Sequence, residues 1–234
     1  MKTLKYKHIF FDLDHTLWDF NASAAHTFEM MYEHFQLVKL GVHSLDDFVN
    51  FYHIHNDAAW ALYREGKMEK EILRNIRFEL ALKDFGIEDA GLAEKLADFY
   101  LYHAPRNVFL FPEAIETLAC LSKKYQLHII TNGFQEVQYI KLETSGMDVY
   151  FKEIITSEEA GVKKPDPGIF HYALKRAGAI ASESLMVGDD AEVDIAGALA
   201  VGMDAVFFNP GQISSHFQVY DQITNLSELC KLLG

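Results

Sequence analysis

Ile9-Phe10-Phe11-Asp12-Leu13-Asp14-His15-Thr16-Leu17 begins as an unbroken apolar run and stops abruptly on two aspartates one residue apart. A short apolar run of this kind reads as a strand buried on both faces, here over about 7–12. The same arrangement recurs along the chain. Leu127-His128-Ile129-Ile130 runs into Thr131-Asn132-Gly133, and Leu185-Met186-Val187 runs into Gly188-Asp189-Asp190, with Asp194 beyond. Between them lies the turn-rich stretch Val162-Lys163-Lys164-Pro165-Asp166-Pro167. Strands near 126–130, 153–155, 184–187 and 204–208 alternate with helical patterns over about 113–123, 134–145, 168–177, 190–201 and 226–232. This rhythm predicts an α/β fold with a doubly wound parallel sheet. The carboxyl ends of such strands converge on one crevice, which would gather the aspartates, Thr131 and Lys164 at one point.

One segment breaks the rhythm. Four helical patterns, over about 21–38, 45–63, 69–84 and 92–103, follow each other with no strand between them. Helices packed on helices form a layer of their own, so 17–104 is expected to be an inserted four-helix domain, with 1–16 and 105–234 forming the α/β core. Within the insert, Arg77 is expected at the surface, paired with Glu69, Glu71 or Glu79.

Composition narrows the partners. Half of the 234 residues are hydrophobic, enough for a sizeable core, and the formal charge of -13 disfavours a nucleic-acid polymer or an anionic membrane. A small anionic metabolite stays possible, because local cations can overrule the global field. Cys120 and Cys230 are too few for a disulfide framework and suit a reducing, cytoplasmic setting. The opening Met1-Lys2-Thr3-Leu4-Lys5-Tyr6-Lys7 lacks the apolar stretch of a signal peptide. No sequence signal bears on oligomeric state.

Several site assignments follow from chemistry alone. Asp12 and Asp189, each ending a strand, are hard oxygen donors of the kind Mg²⁺ takes; turn formation and helix capping are the competing readings, for Asp190 as well. Thr131 and the amides of Asn132 and Gly133 could cradle a phosphate. Lys164 precedes a proline, which favours an extended backbone and an inward side chain, whereas Lys163 is expected to be solvated. Thr16 is expected to cap or to bond within its loop, and His15 receives no chemical role. The histidines form no metal pattern, and Gly-rich dinucleotide, Walker and nucleophile-elbow motifs are missing from the sequence.

Taken in order, Asp12-Leu13-Asp14-His15-Thr16-Leu17, Thr131-Asn132-Gly133, Lys164-Pro165-Asp166-Pro167 and Gly188-Asp189-x4-Asp194 resemble the four motifs of the haloacid dehalogenase-like (HAD) hydrolases. The resemblance runs from residue 9 to about 208, and the insert is similar to that family's α-helical cap. Asp14-x-Thr16-Leu17-x-x-Phe20, Tyr63-Arg64-Glu65-Gly66 and Val162-Lys163-Lys164-Pro165 are similar to the pyrimidine 5'-nucleotidase branch. The resemblance implies a Mg²⁺-dependent phosphatase. Asp12 would be the nucleophile and Asp14 the general acid and base. Thr131 and Lys164 would hold the phosphoryl group, while Asp12, the Asp14 carbonyl and Asp189 would ligate Mg²⁺, with Asp190 and Asp194 behind them. Dehalogenating relatives lack the second aspartate. A phosphatase of sugar or other small organic phosphates, or a phosphomutase, shares the same residues and stays open.

Substrate contacts are expected from Trp18, Phe20, Phe51, Trp60 or Tyr63, most of which suit a helix-bundle core; Trp18 and Phe20 lie nearest the crevice. Arg64 and Lys67 flank Gly66 and could reach a ribose or a second anion. A binding module that has lost chemistry, or a docking protein built on the insert, are the non-enzyme alternatives.

Overall fold

The computed structural model describes residues 5–214 and 217–234. The expectation about the chain start rests partly on residues 1–4, which lie outside these. The chain divides into two compact units, residues 1–20 with 108–234, and residues 21–107. The sequence set the boundaries at 17 and 104. They fall slightly later because the two connections pair with each other inside the α/β unit: the Phe111 N–H donates to the Leu17 carbonyl at 3.0 Å and the Asp19 N–H to the Phe109 carbonyl at 2.9 Å.

The α/β unit is a six-stranded sheet. Its strands are β1 (His8–Phe11), β2 (Gln126–Thr131), β3 (Phe151–Thr156), β4 (Ser184–Gly188), β5 (Asp204–Phe208) and β6 (Asp221–Ile223), in the order β3-β2-β1-β4-β5-β6. Every neighbouring pair is parallel. Both faces are covered, which is why the strands read as continuous apolar runs. On one face Ile9, Phe11, Ile129 and Val187 pack with Leu118 of α5 (Ala114–Leu121), Leu142 of α6 (Gln135–Ser145) and Leu229 near the C-terminus. On the other, Phe10, Ile130, Met186 and Phe207 pack with Ile169, Phe170 and Ala173, which lie in the 167–177 helix, and with Ile195 and Ala198. Two departures from the sequence reading stand out. Strand β6 has three residues and one buried side chain, too few for a period. The expected helix 190–201 is a wide π-type turn, Ala191–Ala196, leading into a short α-helix, Gly197–Ala200. In the sheet interior His8 Nδ1 and His128 Nε2 meet at 3.1 Å, and His128 stacks on Phe10. Burial holds the His128 imidazole neutral, its pKa lowered to about 3.

Register places the site. Phe11 is level with Ile129 of β2 and Val187 of β4, so the residues just beyond these strands share one edge.

The helical unit carries α1 (Phe20–His34, its first residue in the other unit), α2 (Leu45–Arg64), α3 (Lys70–Lys83) and α4 (Ala90–His103). Ser44 and Asp89 cap α2 and α4 by accepting from the Asp47 and Leu92 N–H groups. Rings fill the interior: Phe28 lies 4.7 Å from Tyr52, and Tyr52 4.8 Å from Phe78. Arg77 is a correction. It is buried, not on the surface; it donates to Asn56 at 2.8 Å and lies over the rings of Tyr52, Phe78 and Tyr100. It follows Leu73 by four residues on the apolar face of α3, where a planar, weakly hydrated guanidinium stacks on rings. The sequence weighed its acidic neighbours and missed its helical phase. Among the described residues no helix is long and apolar enough to cross a membrane.

Candidate active site

Asp12 follows β1 directly, its N–H held by the Val187 carbonyl at 2.9 Å. Lys164 reaches it from the loop before Pro165. The ammonium lies 2.5 Å from Asp12 Oδ1 and 2.6 Å from Asp194 Oδ1, and all three side chains are buried. Asn132 fixes that loop with two bonds. Its Oδ1 accepts from the Lys164 N–H at 2.8 Å and its Nδ2 donates to the Lys164 carbonyl at 2.9 Å. Thr16 donates to Asp189 Oδ1 at 2.9 Å, a role beyond the local cap expected of it. Gly188 is required by contact: a β-carbon there would lie 2.4 Å from Asp194 Oδ2. Asp194 therefore folds back under β4, where the Asp190 N–H also reaches it at 3.1 Å.

One oxygen each from Asp12, Asp189 and Asp194 lie within 4.8 Å of one another. Burial pushes the Asp12 carboxyl up, opposed by Lys164 and reinforced by Asp194. Burial also pushes Asp189 up, with Asp12 and Asp194 adding to the effect. Burial alone would lower Lys164, but its two carboxylates override that and keep it protonated. One ammonium thus faces three carboxylates. A hard divalent cation fits this donor set, which is all oxygen and holds no thiol or imidazole.

Asp14 stands apart from that cluster. Its side chain is half-buried and turned to α6, where Gln138 Nε2 donates to Oδ2 at 3.0 Å and the Lys141 ammonium pairs with Oδ1. Burial raises the Asp14 carboxyl, but the Lys141 ammonium, with smaller help from His15 and the Gln138 donor, outweighs it and holds it below the usual carboxylate range. Neither Gln138 nor Lys141 was read from the sequence, where each looks like a solvated helix residue. The available signal was phase: both share the face of α6 that buries Leu142.

The other expected residues occupy different settings. Thr131 is buried, and its hydroxyl accepts from the Gly133 N–H at 3.1 Å. Asp190 is exposed and caps the following turn, accepting from the Glu192 and Val193 N–H groups at 2.9 Å. Its side chain is committed to that cap, as the capping alternative foresaw. Trp18 is fully buried in the α/β core; Phe20 is partly buried, its ring 5.0 Å from that of His15. Arg64 lies exposed at the end of α2 in the helical unit.

This arrangement can be set beside known proteins. The profile of the haloacid dehalogenase-like hydrolases matches residues 6–202. The chain belongs to that family. The HAD-hydrolase YfnB of Bacillus subtilis is 32% identical over 234 residues, covering 98% of this chain and 96% of YfnB. The YfnB structure bound to magnesium superposes with a TM-score of 0.87 at 29% identity, over 98% of this chain and 99% of that one. The pyrimidine 5'-nucleotidase PynA of Streptococcus pneumoniae is 31% identical over 91% of this chain and 88% of its own. A 2-haloacid dehalogenase from Pseudomonas syringae pv. Tomato is 31% identical, with a TM-score of 0.68 over 97% of this chain and 98% of that one. Within the family the chain is of the phosphatase type, with an aspartate cluster consistent with a phosphoaspartyl mechanism.

Proposed function

We propose that the protein hydrolyses nucleoside 5'-monophosphates, pyrimidine or noncanonical, with Mg²⁺ and through an aspartyl-phosphate on Asp12. The observation that carries the chemistry is the pairing of buried Asp12 with Lys164 beside a second, separately held aspartate, Asp14. A carboxylate oxygen of Asp12 forms a bond to phosphorus as the ester P–O bond breaks. Asp14 relays the proton carried in by the substrate's phosphate monoanion to the leaving oxygen and afterwards takes one from the attacking water. Lys164 favours the ionised form of Asp12 against the effect of burial and meets phosphoryl oxygens as a point charge, and the Thr131 hydroxyl and the backbone amides that follow it supply further donors. Asp12, Asp189 and the Asp14 carbonyl would hold Mg²⁺, whose charge would offset the repulsion between carboxylates and phosphate. Asp194 orients Lys164, to which it is bonded.

The dehalogenase relative raises the rival reading, carbon–halogen cleavage. A halide leaves without a proton and gives Asp14 nothing to do, so its two dedicated partners favour the phosphatase. The nucleotide preference rests on the likeness to PynA and on Phe20, whose ring centre lies 5.4 Å from the Lys141 ammonium that pairs with Asp14. The deciding experiment is a phosphate-release screen over nucleoside monophosphates, sugar phosphates and small organic phosphates, with Mg²⁺ and with excess chelator. Pyrimidine monophosphates are expected at the top. Turnover of a hexose phosphate with equal efficiency would replace the substrate, and halide release from 2-chloropropionate would replace the reaction.

A further inference from the structure

Both carboxylate oxygens of Asp14 are held by one helix, and this gives α6 a task in the reaction. Gln138 and Lys141 lie three residues apart, so they share a face of α6, and both are buried. A lysine loses much rotamer freedom when buried and is seldom committed this way without a charged partner. Its ammonium also lies 5.3 Å and 5.4 Å from the ring centres of Trp18 and Phe20, which limits where it can move. Gly133 adds an independent observation. A β-carbon there would stand 2.0 Å from Gln138 Nε2 and 2.5 Å from its Cδ. The glycine after β2 therefore leaves room for the Gln138 amide to pass to Asp14, so the Thr131-Asn132-Gly133 turn and α6 support the same carboxylate.

We propose that Lys141 and Gln138 are positioning residues that fix the plane and direction of the Asp14 carboxylate so that it meets the leaving oxygen of the phosphate ester. The proposal rests on the phosphatase reading above. In the step concerned, Asp12 forms its bond to phosphorus, the ester P–O bond breaks, and the proton carried in by the phosphate monoanion passes through Asp14 to the departing oxygen. The products are a free alcohol and the Asp14 carboxylate, the form to which Lys141 and Gln138 both donate. An alkoxide leaving group needs that proton, whereas para-nitrophenolate departs without it. Damage to the positioning of Asp14 is thus visible as a split between the two kinds of ester.

The test compares kcat/KM, which reports the steps through phosphoryl transfer, for ribose 5-phosphate and para-nitrophenyl phosphate in the presence of Mg²⁺. Lys141→Met is expected to lower the alkyl ester about 30-fold or more, and the aryl ester by less than about threefold. Lys141→Arg is expected to recover most of the alkyl activity, because it returns a cation to Oδ1. Gln138→Met is expected to show the same split in smaller degree, and it carries the test should Lys141→Met fail to fold. Equal losses on both esters, no loss on either, or no recovery with arginine would overturn the proposal. A wild-type protein that cleaves no phosphate ester at all would instead remove the phosphatase reading, and this proposal with it.

Discussion

Asp189→Asn is expected to make the metal-free protein more stable and inactive at once. Asp189, Asp12 and Asp194 bring oxygens within 4.8 Å of one another, and among the described residues Lys164 is the cation paired with two of them. At that separation each like-charge pair costs about 3 kcal/mol at an effective dielectric constant of 20. Asparagine removes two such repulsions and keeps an acceptor for the Thr16 hydroxyl. Part of the gain is already realised by proton uptake, since burial and its neighbours push the Asp189 carboxyl up, and part is lost with the attraction to Lys164. The net stabilisation is about 1–3 kcal/mol, or about 5 °C in melting temperature for a chain of this length. The assay is thermal and urea denaturation in chelator and in Mg²⁺, with phosphate release measured alongside. In saturating Mg²⁺ the variant's advantage is expected to vanish or reverse, because wild type gains about 2.7 kcal/mol at a hundredfold excess over Kd while the variant gains little. A variant less stable than wild type in chelator would refute the view that these carboxylates are held together at a cost that a cation relieves.

Three further outcomes are expected. Asp12→Asn should leave no acid-labile phosphoenzyme in rapid-quench trapping with labelled substrate, whereas Asp14→Asn should still form it, slowly. Phe20→Ala should lower kcat/KM about tenfold for the best nucleotide and hardly at all for ribose 5-phosphate, which has no base for the ring to stack on; equal losses would make Phe20 a packing residue. His128, held neutral with its pKa near 3 against 6.5 in the unfolded chain, should make stability fall as the pH drops below 6.5, because the unfolded state then binds the extra proton. The loss is about 2 kcal/mol by pH 5 and levels off near pH 3, and His128→Gln should flatten this part of the urea-denaturation profile.

What the sequence disclosed and what it hid follow one rule. Asp12, Thr131, Lys164 and Asp189 were legible because each ends a strand or sits in a proline-marked turn, and a parallel sheet brings such ends together regardless of detail. Gln138, Lys141 and Arg77 were not, because a polar residue on the inward face of a helix is spelled like one on the outward face until its partner is known. Asn132 shows an intermediate case. Its position at the site was readable, but its side chain holds the Lys164 loop, a link across residues far apart in the chain. The π-type turn after Asp190 escaped for a similar reason: the sequence there is good helix, and the widening accompanies the Asp190 cap and the return of Asp194 beneath Gly188.

The paired connections at residues 17–19 and 109–111 carry a consequence for how such a chain can be assembled. Trp18 and Leu110 stand opposite each other as antiparallel neighbours, so the chain leaves the sheet unit and re-enters it at almost the same point. Whatever lies between those two points, short or long, asks the same loop closure of the unit that holds the aspartates, and closure entropy grows only slowly with length. The α/β unit is in this sense indifferent to its guest. A different helical segment could be spliced at this doorway without moving Asp12 or Lys164, and the chemistry would stay where it is.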